Sequence, residues 1–376
     1  MVTDSSDPAT TPSAGVGGRA QRRRAESTRS GRPPQPHQTR TTRVPGAGRR
    51  LHAPRLDRLT ILTLLLLTWA GTCLSPLVDV WGVGTVVVSA ASLIPLIPVA
   101  AVPLVTVALR RRRWVPLTAT VLAAAAPWVF VLGYAAPDDQ SARSGTGPTV
   151  RLLLVCGDHG NVDPKAVVTA VRSQQVDVLV VSELTPTLSH TLTAAGLDRL
   201  LEARSVQLPP TGVADAADGG MGVWGRFDVT ASAPLPGTHW PAARVVMKPA
   251  GAAPFTLLAT HVAPPLTAGA RSWADDLATV RYVGARTDGD LVVLGSLNAM
   301  PWHRQFRAFS AAGLSDAAEV LGRGLRPTWP TWLPVPVLSV DHAMVSRRIG
   351  VESVDTVVVT GSDHRGLLVA LRAAPE

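Results

Sequence analysis

The stretch Gly295-Ser296-Leu297-Asn298-Ala299-Met300-Pro301-Trp302 directly follows the apolar run Leu291–Leu294, and Gly361-Ser362-Asp363-His364 follows a second apolar run, Val354–Val359. Short apolar runs bounded by Gly and polar residues are typical of buried strands. The amide of the first stretch and the carboxylate and imidazole of the second are therefore predicted at strand ends, where clefts form at the rim of a sheet. Such groups suit binding of a phosphate oxygen, a divalent cation and a proton.

Other ionisable residues of this region also end or interrupt apolar runs: Glu183 after Val176–Ser182, His261 after Phe255–Thr260, and Asp341 with His342 within Leu338–Val345. Each has a structural alternative, since a buried Asp often anchors hydrogen bonds and a lone His is more often structural than catalytic. The turn Gly361–His364 is harder to explain structurally, because it presents two ionisable groups side by side. The residues alone indicate a candidate hydrolase site.

Residues 150–376 contain many short apolar runs and few helical patterns. Val150–Cys156 is predicted to be a buried strand, and Pro164–Ser173 a helix that begins at Asp163, with Pro164 in its first turn. Many strands with few helices between them predict a layered α+β sandwich and not a doubly wound sheet.

The order of these motifs resembles the endonuclease/exonuclease/phosphatase superfamily over about residues 150–373, and the segments Gly295–Trp302 and Gly361–His364 are the specific parts of the resemblance. The resemblance implies a deoxyribonuclease I-like four-layer α/β/β/α sandwich. It also implies hydrolysis of a phosphoester that depends on Mg²⁺ or Mn²⁺.

The resemblance further implies a role for each matching position. Glu183 matches the glutamate that binds Mg²⁺, and Asp363 is the acid beside the catalytic histidine, His364, and is expected to help bind the metal. Asp341 matches the aspartate that supports this histidine, Asn298 the asparagine that orients phosphate and nucleophile, and His261 the histidine that follows a Thr in mid-domain.

Three positions depart from the family pattern. Cys156 stands where an Asn usually ends the first strand, Ser296 replaces the Asp of an Asp-x-Asn pair, and Ser182 replaces a Gln. A serine hydroxyl is not a base near neutral pH and brings no negative charge to a metal. We therefore expect Mg²⁺ to bind weakly or not at all. Two functions stay open: a metal-dependent phosphoester hydrolase with a partly degenerate site, or an inactive domain with a binding or scaffolding role at the cell envelope.

The N-terminal part has a different composition. Residues 1–56 carry 11 Arg with little apolar content and are predicted to be a disordered tail. Three uncharged apolar stretches follow, at about residues 59–77, 80–109 and 114–136, and are predicted to be transmembrane helices, with Tyr134 near the end of the third. Residues 137–149 form a polar linker. No charge lies within these stretches, so a transporter is not indicated.

Charge predicts the orientation and the partners. Residues 1–149 have a net charge of +10, whereas residues 150–376 carry 17 Arg, 2 Lys and 20 acidic residues, a net −1. The basic tail and the basic loop Arg110–Arg113 are predicted in the cytoplasm, which places the C-terminal domain of this multi-pass membrane protein outside. The folded domain carries no strong nucleic-acid signal. The expected partners are a lipid bilayer and a phosphoester of unknown identity, and membrane attachment favours a lipid or envelope substrate.

Overall fold

The computed structural model describes residues 147–208 and 219–376 continuously, together with separate residues between 102 and 145. The predicted tail and nearly all of the three apolar stretches lie outside the described residues. Among the helices that are described, none combines the length and the apolar character needed to cross a bilayer.

The described chain forms two six-stranded sheets with helices on their outer faces. The strands are β1 Thr149–Cys156, β2 Val178–Leu184, β3 Ala203–Gln207, β4 Gly220–Gly225, β5 Asp228–Pro234, β6 Ala242–Lys248, β7 Phe255–His261, β8 Asp290–Ser296, β9 Leu314–Asp316, β10 Asp341–Ser346, β11 Gly350–Val357 and β12 Gly366–Arg372. The helices are α1 Pro164–Ser173, α2 Pro186–Ala194, α3 Ala270–Ala285, α4 Arg304–Ala311 and α5 Ala317–Leu321.

The first sheet has the strand order β11-β12-β1-β2-β4-β3, and the second has the order β5-β6-β7-β8-β10-β9. The pairs β1–β2 and β7–β8 are parallel, and the remaining pairs in both sheets are antiparallel. The two sheets and their outer helices form the α+β sandwich that the sequence predicts.

The layers follow from the alternation of side chains along each strand. Leu152 and Leu154 of β1 belong to the core between the two sheets. Leu153 and Val155 face the opposite way and pack with apolar residues of α1 and α2. Trp273 and neighbouring apolar residues of α3 extend the inter-sheet core over the outer face of the second sheet. Each fully buried Leu or Val contributes roughly 1.5–3 kcal/mol, so these packed layers dominate the stability of the fold.

Two elements differ from the sequence prediction in a way that matters for the site. Strand β10 begins at Asp341, whereas the apolar run predicted a strand from Leu338, so Asp341 lies at a strand end and not in mid-strand. Helix α3, the longest of the described domain, was not predicted. Its N-cap is Gly269, which forms no side-chain capping hydrogen bond, so the usual start signal is missing.

Tyr134, from the end of the third predicted transmembrane stretch, packs against the domain. Its side chain is 5% exposed, and its hydroxyl donates a hydrogen bond to Asp316 Oδ2 at 3.2 Å. Its backbone carbonyl accepts from Gly324 N at 2.8 Å. The polypeptide is therefore attached to the domain 15 residues before β1 begins at Thr149.

Candidate active site

The strand-end residues among the predicted site residues lie at one edge of the sandwich. Cys156 and Glu183 lie at the carboxyl ends of the parallel strands β1 and β2. His261 and Ser296 end the parallel strands β7 and β8, and Asp341 begins the antiparallel neighbour β10. Both sheets thus contribute to one cleft, which we call the catalytic edge.

His364 and Asp341 form a closely hydrogen-bonded pair in this cleft. His364 Nδ1 lies 2.7 Å from Asp341 Oδ2, and Ser296 Oγ donates to Asp341 Oδ1 at 2.5 Å. Burial lowers the pKa of His364, but the charge and hydrogen bond of Asp341, together with nearby carboxylates, outweigh it and raise the pKa to about 9. Burial alone raises the pKa of Asp341, yet His364 and the hydrogen bonds lower it to about 2. The pair is therefore an imidazolium–carboxylate pair at neutral pH.

Asp363 projects a free carboxylate oxygen into the same space. Its Oδ2 accepts a hydrogen bond from Trp329 Nε1 at 3.1 Å. Its Oδ1 is buried and has no hydrogen-bond partner among the described residues, with His364 Nε2 at 3.9 Å. An unsatisfied buried carboxylate oxygen is costly unless a cation or a donor from a substrate completes it.

Glu183 lies between two histidines. Its Oε1 is 3.6 Å from His261 Nε2, and its Oε2 is 3.6 Å from His159 Nε2 and accepts a hydrogen bond from His159 N at 3.2 Å. Burial raises the pKa of Glu183, and the nearby charge of Asp363 raises it further. His159 and His364 lower it, but the net pKa is raised. Burial, with the positive charge of His364, lowers the pKa of His261 to about 3, so His261 is neutral.

Asn298 is held by the backbone of the neighbouring segment. Its Nδ2 donates to the carbonyl of Val262 at 2.7 Å, and its φ is +49°. Three further residues have a positive φ: Glu183 with +52°, His159 with +52° and Asp158 with +45°. Four of the five non-Gly residues with positive φ in the described chain therefore lie at the catalytic edge. Such strained backbone is maintained only where the surroundings over-determine it, and it concentrates at functional sites.

The residues around His261 are fixed by a buried carboxylate on α3. Asp276 Oδ1 accepts from the backbone N–H of His239, and its Oδ2 accepts from Ala263 N. These bonds fix the residue before Trp240 and the residue two positions after His261. The Trp240 ring packs edge-on against the His261 ring at a centroid distance of 4.5 Å. The unpredicted helix α3 thus contributes to the position of a predicted site residue.

Residues 155–364 match the Endonuclease/Exonuclease/phosphatase family. The chain belongs to this family. The match begins at the end of β1 and stops at His364, so it includes all the predicted site residues.

Solved structures of similar fold include D. rerio TDP2 carrying 14 humanizing mutations, with 16% identity over 59% of this chain and 98% of that one and a TM-score of 0.49. They also include an endonuclease/exonuclease/phosphatase from Bacteroides vulgatus, with 15% identity over 60% and 99% and a TM-score of 0.49. The human Nocturnin catalytic domain with bound sulfate shows 19% identity over 63% and 99%, with a TM-score of 0.47. The search of curated proteins gave no match.

Enzymes of the endonuclease/exonuclease/phosphatase family typically depend on a divalent metal, and the donors in this cleft can be compared with that requirement. Glu183 and the unsatisfied Oδ1 of Asp363 supply carboxylate oxygens. One ligand atom from each of Cys156, Asp363 and His364 lies within 4.8 Å of the others. Cys156 is 3% exposed, and burial, reinforced by Glu183 and Asp363, raises the pKa of its thiol. The two carboxylates fit a divalent cation. The buried thiol of Cys156 is protonated and both ring nitrogens of His364 carry protons, so the site offers fewer hard oxygen ligands than Mg²⁺ prefers.

Two residues of this site were missed from the sequence. His159 contacts Glu183, and Trp329 donates to Asp363. The available signal for His159 was its position in the polar turn directly after strand β1, next to a glycine. Trp329 lies in a Pro-rich segment with no periodicity and gave no such signal.

Proposed function

We propose that this chain is a membrane-anchored, divalent-metal-dependent phosphoester hydrolase whose activity is attenuated by a partly degenerate site. The observation that carries this proposal is the hydrogen-bonded His364–Asp341 pair, which lies in the same cleft as Glu183 and Asp363. The cleft places a charged imidazolium beside acidic groups, and its backbone is strained and mostly buried. Perturbed pKa values in such a setting are more typical of a catalytic site for phosphoryl transfer than of a structural ion pair.

His364 is the residue that faces the phosphoryl group. Its Nδ1–H donates to Asp341, which fixes the ring and leaves Nε2–H for the cleft. A cationic Nε2–H donates to a phosphate oxygen and stabilises the charge that develops there as water adds to phosphorus and the ester P–O bond breaks. Asp341 remains ionised and holds the imidazolium in this orientation.

The neutral side chains complete the phosphate site. Asn298 has one amide N–H bonded to Val262, which leaves its second N–H and its carbonyl oxygen to orient a phosphate oxygen and the attacking water. Neutral His261 lies next to Glu183 and accepts or donates a hydrogen bond without adding charge. Because Ser296 is not a base, the proton of the attacking water passes to solvent.

Glu183 and Asp363, with the Cys156 sulfur nearby, are the residues that would hold the divalent cation. When bound, such a cation polarises the phosphoryl oxygen and lowers the pKa of water.

The second candidate is a catalytically inactive domain with a binding role at the cell envelope. The hydrogen bond from Ser296 Oγ to Asp341 favours it, because this hydroxyl supports the His364–Asp341 pair and cannot act as a base. Losing a well-placed general base typically lowers a rate by about 10²–10⁴. We therefore expect slow turnover.

The membrane anchor belongs to the proposal as well. The support for it is the three uncharged apolar stretches and the basic residues that flank them, with the domain outside and the N-terminal tail in the cytoplasm. A periplasmically active phosphatase reporter fused after Glu376 is expected to be active, and a reporter that works only in the cytoplasm to be inactive. The reverse pattern would contradict this orientation.

The proposed activity is tested with the full-length protein in detergent. Phosphomonoesters, phosphodiesters, an oligonucleotide and a phospholipid are each assayed with Mg²⁺, Mn²⁺ or Zn²⁺ and with EDTA. We expect hydrolysis of at least one class, abolished by EDTA and restored by a divalent cation. If no substrate is hydrolysed with any of the three metals, the proposed hydrolase activity is contradicted and the binding role is favoured.

A further inference from the structure

We infer that the mouth of the catalytic cleft lies against a lipid bilayer, so that the phosphoester it takes is carried by a membrane lipid. The docking stands on the apolar residues around the cleft, and the substrate class rests in addition on the proposed hydrolase function. The strongly exposed large apolar side chains in the described part of the domain are Leu208, Leu266, Tyr282, Trp332, Val335 and Val358.

All of these except Tyr282 lie in segments at the catalytic edge. Leu266 lies in the segment that follows His261. Val358 directly follows β11, whose last residue pairs with Gly366, two residues after His364. Leu208 directly follows β3, which ends opposite the start of β4, and β4 begins beside the Glu183 end of β2. Exposed apolar side chains on these three loops, and Trp332 and Val335 on a fourth, thus lie at the same edge of the sandwich.

The segment that carries Trp332 and Val335 is hydrogen-bonded to the turn Gly361–His364. Thr331 N donates to the carbonyl of Asp363 at 2.9 Å, and Thr331 Oγ1 donates to the carbonyl of Ser362 at 2.8 Å. The two side chains beyond it are 74% and 68% exposed. A tryptophan displayed on a loop that is anchored in this way is held out into solvent by the fold itself.

Exposed apolar side chains do not stabilise a domain in water, and when they gather at one place they mark an interaction surface. Tryptophan favours the boundary between headgroups and acyl chains, where its ring is buried and its N–H stays hydrated. The folded domain has a net charge of −1, so a polyanionic nucleic acid is disfavoured as the occupant. A bilayer surface agrees with both properties.

The path of the chain supports the same occupant. Residues 114–136 are uncharged and apolar, and Tyr134 at their end is already packed in the domain. Its carbonyl is bonded to Gly324, eight residues before Trp332 in the same connection between α5 and β10. If the stretch crosses the membrane, this attachment leaves no long tether, and the side of the domain next to the cleft lies close to the bilayer surface.

This arrangement restricts the substrate. Apolar side chains of an interfacial surface enter about 5–10 Å into the boundary between headgroups and acyl chains. A cleft surrounded by such side chains meets a lipid phosphoester at headgroup depth, without the lipid leaving the bilayer.

The docking is tested in the full-length protein in nanodiscs of phosphatidylcholine and phosphatidylglycerol. Leu266→Cys, Trp332→Cys and, as matched control, Tyr282→Cys are each labelled with an environment-sensitive fluorophore in a Cys73→Ser background, with Cys156 too buried to react. We expect the labels at 266 and 332 to be quenched by nitroxide lipids and protected from aqueous iodide, and the label at 282 to behave in the opposite way. Iodide quenching at 266 and 332 equal to that at 282 would overturn the inference.

The relative rates of hydrolysis of a phospholipid and of a soluble ester provide a second test. The double change Trp332→Ser and Val335→Ser is expected to lower the ratio of phospholipid to soluble p-nitrophenyl phosphoester hydrolysis by about tenfold or more, whereas Tyr282→Ser leaves the ratio unchanged. An unchanged ratio in the double variant would contradict the inference. If no ester is hydrolysed but the labels at 266 and 332 are in lipid, the docking stands and the hydrolase proposal fails.

Discussion

His364→Ala is expected to lower kcat/KM for phosphoester hydrolysis by about 10²–10⁴. The substitution removes the imidazolium, whose pKa the charge and hydrogen bond of Asp341 raise to about 9, and with it the cationic donor that we propose faces the phosphoryl group. Asp341→Asn should act in the same direction, because the neutral amide no longer holds the imidazolium charged or fixes its ring. Initial rates against the best substrate, with a thermal unfolding check on each variant, measure the effect.

His190→Ala is the matched control, because this histidine is exposed on the outer helix α2 and is not among the residues assigned to the cleft. Its rate should equal that of the wild type. If His364→Ala keeps more than about a tenth of the wild-type rate while folding normally, the His364–Asp341 pair is structural and the assigned chemistry is wrong.

The double change Cys156→Asn and Ser296→Asp is expected to raise both Mg²⁺ affinity and Mg²⁺-dependent activity. It supplies an amide and a carboxylate at two of the three positions where the sequence differs from the pattern of the family it resembles, and Mg²⁺ prefers several hard oxygen ligands. We expect the rate with Mg²⁺ to rise at least about tenfold, since a recovered base is worth about 10²–10⁴ when it is well placed.

Ser296→Asp also has a distinctive stability signature. Ser296 is buried, and its Oγ donates to Asp341 at 2.5 Å, so an Asp there brings two carboxylates together. Without metal the variant should unfold at a lower temperature than the wild type, and Mg²⁺ should recover much of the loss, by about 2.7 kcal/mol at 100 times Kd. Ser296→Asn, similar in size but uncharged, should show neither effect. A double variant that Mg²⁺ neither stabilises nor activates would show that the cleft is altered beyond these two positions.

Much of the fold follows from local sequence signals. Asp163 caps α1 by accepting from Lys165 N, and the helix spans Pro164–Ser173 as predicted, because capping and the first-turn proline are encoded within a few residues. The apolar runs mark most strands because buried strands read as nearly continuous apolar stretches. Strand pairing and the division into two sheets depend on contacts between distant residues, which no local pattern encodes.

The candidate site, like the fold, could be predicted from the sequence only in part. Polar residues at the ends of apolar runs indicated Glu183, His261 and the Asp363–His364 turn, since strand ends converge at one edge. Asp341 was predicted within an apolar run, and the structure places it at the start of β10. The contacts that adjust these groups were not predictable, because Trp329 reaches Asp363 across 34 positions and Asp276 supports the His261 region from an unrecognised helix. The catalytic roles themselves stay predictions until activity is measured.

The most direct test of the account compares the full-length wild type and His364→Ala side by side, after EDTA treatment and after return of Mg²⁺, Mn²⁺ or Zn²⁺. We expect slow phosphoester hydrolysis by the wild type, lost with EDTA and restored by a divalent cation, and no recovery in His364→Ala. Wild-type turnover that survives EDTA, or equal turnover by the two proteins, would contradict it.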